Sequence, residues 1–194
     1  MSPPPILASD RRLRRRDVEI LSYVVDGTLR HRDSGGHEAD LTAGEMQLIR
    51  AGRRGIRHAE TNPTGRPERH YQLWLTPEAS PPDSSYHRRD PFPEQRRAQF
   101  LLYAAPDGRD GSLPLRTDAF VYAGLFAPGD RVRHPLGAGR QAWLQVVDGA
   151  VRVGDVALRA GDGLCVSGAP AVPVEVTAES NLLLVDLPRP GRRA

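Results

Sequence analysis

The sequence contains no lysine, one cysteine and few aromatic residues, and it has no long apolar run. A single cysteine, Cys165, cannot form an intramolecular disulfide or a cysteine-based zinc cluster. No apolar run approaches the length of a membrane span, and Ile6-Leu7-Ala8 is too short for the core of a signal peptide. These absences favour a soluble, cytoplasmic protein with no membrane partner.

The positive charge comes entirely from arginine, and most of it is interspersed with acidic residues. The formal net charge is +3 and the pI is near 9.5. An exclusive use of arginine is typical of a GC-rich genome rather than of selection for phosphate contacts. The one dense cluster lies within Arg11–Arg16, and we interpret it as a solvated arm. We therefore expect no nucleic-acid partner.

Glycine and proline are abundant, and helix-period patterns are rare. With 19 glycines and 18 prolines, the chain has many turn signals between short apolar runs. The composition favours an all-β protein.

An internal repeat predicts the architecture. The segment Val24-Val25-Asp26-Gly27 returns as Val146-Val147-Asp148-Gly149, 122 residues further along, and Ala43-Gly44-Glu45 returns as Ala160-Gly161-Asp162, 117 residues further along. A longer loop at 33–38 in the first copy accounts for the difference. Asp-Gly between alternating apolar runs is a strong signal for a type I′ hairpin. Two such copies predict two small β-barrels in tandem.

Composition also suggests the domain boundaries. A proline-rich stretch with little apolar content predicts an interdomain linker, in which Pro93 could begin a short helix. The last residues form an arginine-rich tail that we expect to be disordered. The predicted segments are an atypical Arg/Pro-rich N-terminus over 1–15, a first barrel over 16–76, the linker over 77–97, a second barrel over 98–188 and the tail over 189–194.

His58 and Glu60 are the strongest candidates for a functional site. Residues two apart on a strand project to the same face, so this imidazole and carboxylate point together. Such a pair forms half of a typical mononuclear site for iron, manganese or nickel.

The segments 19–27, 31–34, 51–60 and 72–75 together resemble the pirin family of bicupins. The resemblance covers about residues 16 to 188 and is more specific in the first half. It implies two cupin barrels of the jelly-roll (double-stranded β-helix) type, with a metal site only in the N-terminal one. Some family members resemble quercetin 2,3-dioxygenase in activity, and others are non-enzymatic regulators that bind protein partners.

The family site combines a His-Pro-His motif with a His-x-Glu pair, and this chain matches only the second. The first motif falls at Leu13, Arg14 and Arg15, so neither histidine is present. Three interpretations stay open. The chain is a natural member that lost its metal, or its start is misassigned or frameshifted, or Arg15 occupies the vacated space and binds an anion or pairs with Glu60.

The other histidines are weaker candidates for metal ligands. We expect His31 at a surface position, His37 and His87 in solvent, and His70 in the barrel wall. By the repeat offset the equivalent positions of the second barrel fall at Pro135 and Gly137, next to a lone His134, so that barrel is expected to be structural. The side chains that we expect in the core are Trp74, Trp143 and Cys165.

Two functions follow from the resemblance. In the first, His58 and Glu60 hold iron, Glu60 is the catalytic candidate, and the substrate is a small aromatic or enolic molecule that reacts with O₂. In the second, a non-catalytic bicupin binds a small molecule or a protein partner, and Glu60 requires a cation such as Arg15.

Overall fold

The computed structural model describes residues 13–79, 81–91 and 94–190, and it is built almost entirely from β-strands. The chain divides into two compact units, Met1–Pro91 and Phe92–Ala194. In the described ranges the one helical element is a 3₁₀ turn, Arg109–Gly111. None of the described helical structure has the length and apolar character that crossing a membrane requires. The all-β prediction is confirmed.

Among the described residues, the first unit has eight strands in two four-stranded sheets. Their orders are β1-β6-β3-β4 and β7-β2-β5-β8. The strands are β1 (Leu13–Arg15), β2 (Glu19–Asp26), β3 (Thr28–Asp33), β4 (Glu38–Thr42), β5 (Met46–Arg50), β6 (Ile56–Thr61), β7 (Arg69–Leu75) and β8 (Ser85–Arg89).

Over 94–190 the second unit has ten strands, in a six-stranded sheet of order β10-β9-β11-β18-β13-β16 and a four-stranded sheet of order β12-β17-β14-β15. The strands are β9 (Leu101–Ala105), β10 (Leu113–Pro114), β11 (Phe120–Phe126), β12 (Arg131–Pro135), β13 (Arg140–Asp148), β14 (Ala150–Val153), β15 (Val156–Arg159), β16 (Gly163–Ser167), β17 (Ala171–Val176) and β18 (Ser180–Pro188).

The two units repeat one strand-pairing scheme, as the sequence repeat predicted. In the first unit β2 pairs with β5 and β7, while β3 pairs with β4 and β6. In the second unit β13 pairs with β16 and β18, while β14 pairs with β15 and β17. Each scheme places one sheet opposite the other, which is the double-sheet arrangement of a jelly roll.

The Asp-Gly turns, however, are not hairpins. Gly27 joins β2 to β3, and these strands belong to different sheets, so the chain crosses from one layer to the other at this residue. A type I′ turn needs positive φ at both central residues, whereas here only the glycine has it, at φ 76 for Gly27 and φ 86 for Gly149. The local hairpin of each unit lies one strand later, at β3–β4 and β14–β15.

The predicted linker over 77–97 is partly a strand. Ser85–Arg89 forms β8 and pairs along its whole length with β5. The boundary between the units therefore falls after Pro91 rather than across the whole proline-rich stretch. Pro93 lies outside the described residues, and 94–97 form a turn instead of a helix. The N-terminal segment 1–12 and the end of the tail, 191–194, also lie outside them.

The core of each unit joins its two sheets. In the first unit Ile20 and Ile49 contact Ile56 of the facing sheet, and Val24 contacts Leu29 and Leu41. The core of the second unit is larger and wholly apolar: Phe126, Leu136, Ala142, Leu144, Val146, Val151, Val153, Val172, Val174, Val176, Leu182 and Leu184.

Replacing Gly27 tests the corner between the sheets. A Cβ at this position would lie 2.5 Å from the carbonyl oxygen of Pro67 and would also force an L-residue to positive φ. We expect Gly27→Ala to lower the free energy of unfolding by about 3 kcal/mol or more, measured by urea denaturation.

Gly36→Ala is the matched control, because Gly36 also has positive φ but has open space around it. It should cost only about 1–2 kcal/mol, the backbone term alone. Equal costs for the two variants would contradict the steric role assigned to Gly27.

Candidate functional site

His58 and Glu60 lie on β6 and occupy the same side of the strand, as their spacing predicted. Along β6 the side chains of Ile56 and His58 are buried while Arg57 between them is exposed, and Glu60 is half-buried. The alternation turns the imidazole and the carboxylate toward the interior between the two sheets.

The Glu60 carboxylate is held by three neutral side chains. Its Oε1 accepts hydrogen bonds from Ser22 Oγ at 2.9 Å and from Gln47 Nε2 at 2.7 Å. Its Oε2 accepts one from Gln72 Nε2 at 2.7 Å. We call Ser22, Gln47 and Gln72 the amide row. The row fixes the carboxylate in position without neutralising its charge.

Strand register explains why the amide row exists. Ser22 on β2 lies directly opposite Gln47 on β5 and Gln72 on β7, so the three side chains form one line across the sheet. Both amide nitrogens also lie 3.3 Å from Ser22 Oγ. The row is a single cooperative hydrogen-bond network beneath the carboxylate.

Sequence reasoning missed the amide row, because an isolated serine or glutamine within an apolar strand carries no motif. The signal was in the repeat. The equivalent line in the second unit is Leu144 on β13, opposite Leu164 on β16 and Leu184 on β18. Comparing the two copies therefore shows that the first unit alone has a polar line at this level of the interior.

Trp74 lies next to the amide row. The sequence predicted a core position for this residue, and that prediction is wrong. Its side chain is 47% exposed, and its Nε1 donates to Gln72 Oε1 at 2.6 Å. This bond orients the Gln72 amide, so that its NH₂ group points toward Glu60. An exposed indole, an amide and a carboxylate thus form one connected chain.

A second polar cluster lies next to His58 and contains His31. The prediction of a surface position for His31 is wrong. His31 is fully buried, its ring stacks on Tyr86 at 4.8 Å between centroids, and it lies 6.0 Å from the ring of His58. Asp33 Oδ2 lies 3.0 Å from His31 Nε2 and 3.1 Å from His37 Nδ1. The Asp33 carboxylate thus holds both imidazoles.

Burial and hydrogen bonding oppose each other at this cluster. Burial alone would raise the pKa of Asp33, but hydrogen bonds from His31, from the backbone and side chain of His37 and from the backbone of Gly35 outweigh it and lower that pKa. Burial raises the pKa of Tyr86 to about 12. Tyr86 is therefore a neutral phenol at physiological pH, and it lies between the His31 and His37 rings.

The donor set does not fit a tightly held metal ion. Within the described residues, no three His, Cys, Asp or Glu side chains are arranged to hold one. In the β1–β6 ladder, position 13 lies directly opposite His58 and position 15 opposite Ile56. The resemblance to the pirin family predicts histidines at these positions, and this chain has leucine and arginine there. His58 and Glu60 stay predictions as metal ligands.

The structure also gives the burial of four other residues for which the sequence predicted a position. His70 is half-buried in the barrel wall, as expected, and lies 2.8 Å from Glu68. His87 is on β8 and half-buried rather than solvated, and burial lowers its pKa. Trp143 is 43% exposed and Cys165 is exposed, because both lie on the outer side of their sheet rather than in the core.

The second barrel carries a buried ion-pair network instead of a metal site. His134 lies opposite Val172 in the β12–β17 ladder, which makes His134, not Pro135, the equivalent of position 13. Its Nε2 lies 3.3 Å from Asp186 Oδ2, and Arg140 bonds both Asp186 and Asp118. Burial would raise the pKa of Asp186, and the bonds from His134 and Arg140 outweigh it and lower that pKa.

The comparisons with known proteins agree with this architecture. The pirin family profile matches residues 10–75, and that of the quercetinase C-terminal cupin domain matches residues 102–187. A quercetin 2,3-dioxygenase of Escherichia coli (strain K12) is 37% identical over 174 residues, covering 89% of this chain and 74% of the relative. A pirin-like protein of Caulobacter vibrioides is 34% identical over 172 residues, covering 88% of this chain and 73% of the relative.

Solved structures give the same result. The bacterial pirin YhhW of Escherichia coli, determined in complex with nickel(II), superposes with a TM-score of 0.83 at 35% identity. The match covers 92% of this chain and 76% of that one. The fold, with two copies of one jelly-roll scheme, defines a bicupin. This chain belongs to the pirin family and is related to quercetin 2,3-dioxygenases.

A double-mutant cycle tests the coupling of Glu60 to the amide row. Gln47→Leu removes a hydrogen bond to a buried charge and should lower the free energy of unfolding by about 1.5–3 kcal/mol. In a Glu60→Val background, which copies Val174 of the second barrel, the same change should cost less than half as much, because no charge remains to be held.

Urea denaturation of the parent, the two single variants and the double variant measures the coupling. Gln99→Leu is the control for an exposed glutamine, and its free energy of unfolding should lie within about 0.5 kcal/mol of the parent value. Additive costs for Gln47→Leu and Glu60→Val would show that the carboxylate does not depend on the row.

Asp186→Asn tests the ion-pair network of the second barrel. It leaves Arg140 without a full counter-charge and should cost about 2–4 kcal/mol at neutral pH, measured by denaturation. Because the folded pKa of Asp186 is lowered, its stabilisation is present above the ordinary carboxyl value of 3.8 and is lost as the pH falls through the folded value. The variant and the parent should therefore converge in acid.

Asp107→Asn provides the comparison, since Asp107 pairs with Arg109 in an exposed position. That change should leave stability nearly unaltered at every pH. A difference for Asp186→Asn that persists unchanged into acid would contradict the role of its charge.

Proposed function

We propose that this pirin-like bicupin binds a small organic molecule in its N-terminal barrel through the Glu60 carboxylate, without a tightly held metal ion. The observation that carries the proposal is the amide row. Three neutral donors hold Glu60 in the interior, and the charge of the carboxylate is left available to a ligand.

The donor set argues for binding rather than for quercetinase chemistry. Two protein ligands leave most coordination positions to water, so metal affinity falls steeply relative to a four-ligand site. Glu60 Oε1 already accepts two hydrogen bonds, so only Oε2, which accepts one, has a lone pair left for a metal ion.

The second candidate function is a metal-dependent dioxygenase of the quercetin 2,3-dioxygenase type. It is supported by the relatives, one of which bears that name and one of which was solved with nickel(II). In this chain His58 and Glu60 would hold the metal, with iron as the predicted ion. Such an ion supplies a Lewis acid for an enolic or phenolic substrate. The enzyme would need further ligands beyond those two side chains.

Rebuilding the missing ligands separates the two functions. Each protein is loaded with Fe(II) or Ni(II), desalted and analysed by elemental mass spectrometry. We expect less than about 0.1 metal ion per chain for the protein as it stands. Leu13→His/Arg15→His should approach one ion per chain, because the β1–β6 register places position 13 opposite His58. Adding Glu60→Gln to that variant should lower the metal content again.

Leu13→Asn/Arg15→Asn is the matched control, because it changes the same positions without supplying imidazoles. Near-stoichiometric metal in the unaltered chain, lost in His58→Ala and accompanied by O₂ uptake with quercetin, would overturn the proposal and establish the dioxygenase.

A further inference from the structure

We propose that the outer face of the second unit carries an anion site, in which Arg131, Arg133 and Arg152 bind a small organic molecule with two or more carboxylate or phosphate groups. The site lies on the solvent side of the sheet β12-β17-β14-β15. It belongs entirely to the second unit and does not involve the interior of either barrel.

The three arginines line a groove of about 350 Å³. Arg131 and Arg133 lie two residues apart on β12, and Arg152 lies on β14, so the three flank the strand β17 between them. Pro173 and Gly154 are exposed beside them, and a Cβ at Gly154 would meet nothing within 4 Å. This volume is at the lower end of the range for small-ligand sites. The other lining residues are Val132, Val174 and Glu175.

One carboxylate is shared among the three guanidinium groups. Glu175 lies opposite Arg131 in the β12–β17 ladder and opposite Arg152 in the β14–β17 ladder. Its Oε1 accepts a hydrogen bond from Arg131 Nη2 at 2.7 Å. Over the described part of the chain, the guanidinium groups of Arg133 and Arg152 form no hydrogen bond or ion pair. They are therefore available to a ligand.

The groove keeps its positive charge at neutral pH. The hydrogen bond and charge of Arg131, together with the charge of Arg152, lower the pKa of Glu175, so this carboxylate is ionised. With three arginines and one glutamate, the described lining still has an excess of two positive charges. An anionic ligand compensates that excess.

The first unit shows the same face in a neutralised form. Arg30 on β3 corresponds to Arg152 on β14, because β3 pairs with β4 and β6 as β14 pairs with β15 and β17. Arg30 lies opposite Asp40 and forms an ion pair with it at 2.6 Å. Arg152 lies opposite Ala157 instead. The second unit thus retains the arginine and lacks the acid that would neutralise it.

The spacing of the arginines favours a ligand with several anionic groups. Guanidinium groups bind carboxylates and phosphates through paired N–H donors. The Cα atoms of Arg131 and Arg133 are about 7 Å apart along the strand, and that of Arg152 is roughly 10 Å away across two strands. Two or three anionic groups on one molecule can therefore engage all three side chains. No aromatic side chain is found in the described lining to stack on the bases of a nucleic acid.

Isothermal titration calorimetry of the full chain at low ionic strength tests the site. The probes are tricarballylate, which has three carboxylates, and methylenediphosphonate, which represents a bisphosphate. We expect at least one of them to bind with a Kd on the order of 1 mM, and acetate to bind at least about tenfold more weakly. The tighter probe identifies the preferred anionic group. If neither binds more tightly than acetate, the inference is wrong.

Removing the two available arginines should abolish most of the binding. Arg133→Gln/Arg152→Gln should weaken it at least about tenfold, with circular dichroism confirming the fold. Arg30→Gln/Arg32→Gln is the matched control, because it removes the same charge from the first unit, where both arginines are ion-paired. That control should change the Kd less than about twofold. Equal losses in the two variants would overturn the assignment to the groove.

Releasing an arginine should have the opposite effect. Glu175→Gln removes the competing carboxylate and frees Arg131, so binding should become about threefold tighter or more. Asp40→Asn makes the same change in net charge and frees Arg30 in the first unit, and it should leave the affinity nearly unaltered. Equal strengthening by both changes would mean that net charge alone attracts the probe, and this result too would contradict the inference.

Discussion

The interior of the N-terminal barrel depends on one interaction, the hold of the amide row on the Glu60 carboxylate. A charge between two sheets is costly unless its oxygens are hydrogen-bonded. Ser22, Gln47 and Gln72 provide those bonds from three adjacent strands, so the charge is tolerated where the equivalent level of the second barrel is filled by leucine.

The two barrels show how one strand scheme accommodates two kinds of interior. The pairing pattern is the same, and both corner glycines have positive φ. The second barrel uses its frame for a continuous apolar core, with His134 bound to Asp186 near its edge. The first keeps polar side chains in its interior, including Glu60 and His58. Such a difference between copies is typical of a division between a structural and a functional domain.

The repeat, the all-β class and the pairing of His58 with Glu60 were predictable, because turn glycines and strand alternation are local properties of the chain. Residue type alone did not predict which side chains are buried. Trp74, Trp143 and Cys165 look like core residues, yet all three are exposed, whereas His31 is fully buried. Which side of a strand faces the core depends on the layer to which the strand belongs, and pairing partners far along the chain decide that.

The sequence by itself determined which chemistry is possible at this site: a histidine and a glutamate two residues apart, and no histidine at positions 13 and 15. Only the tertiary structure decided what surrounds the carboxylate. Ser22, Gln47 and Gln72 lie on three separate strands and meet through register alone. Register is a long-range property, since a shift of one residue would turn every side chain of a strand to the opposite face.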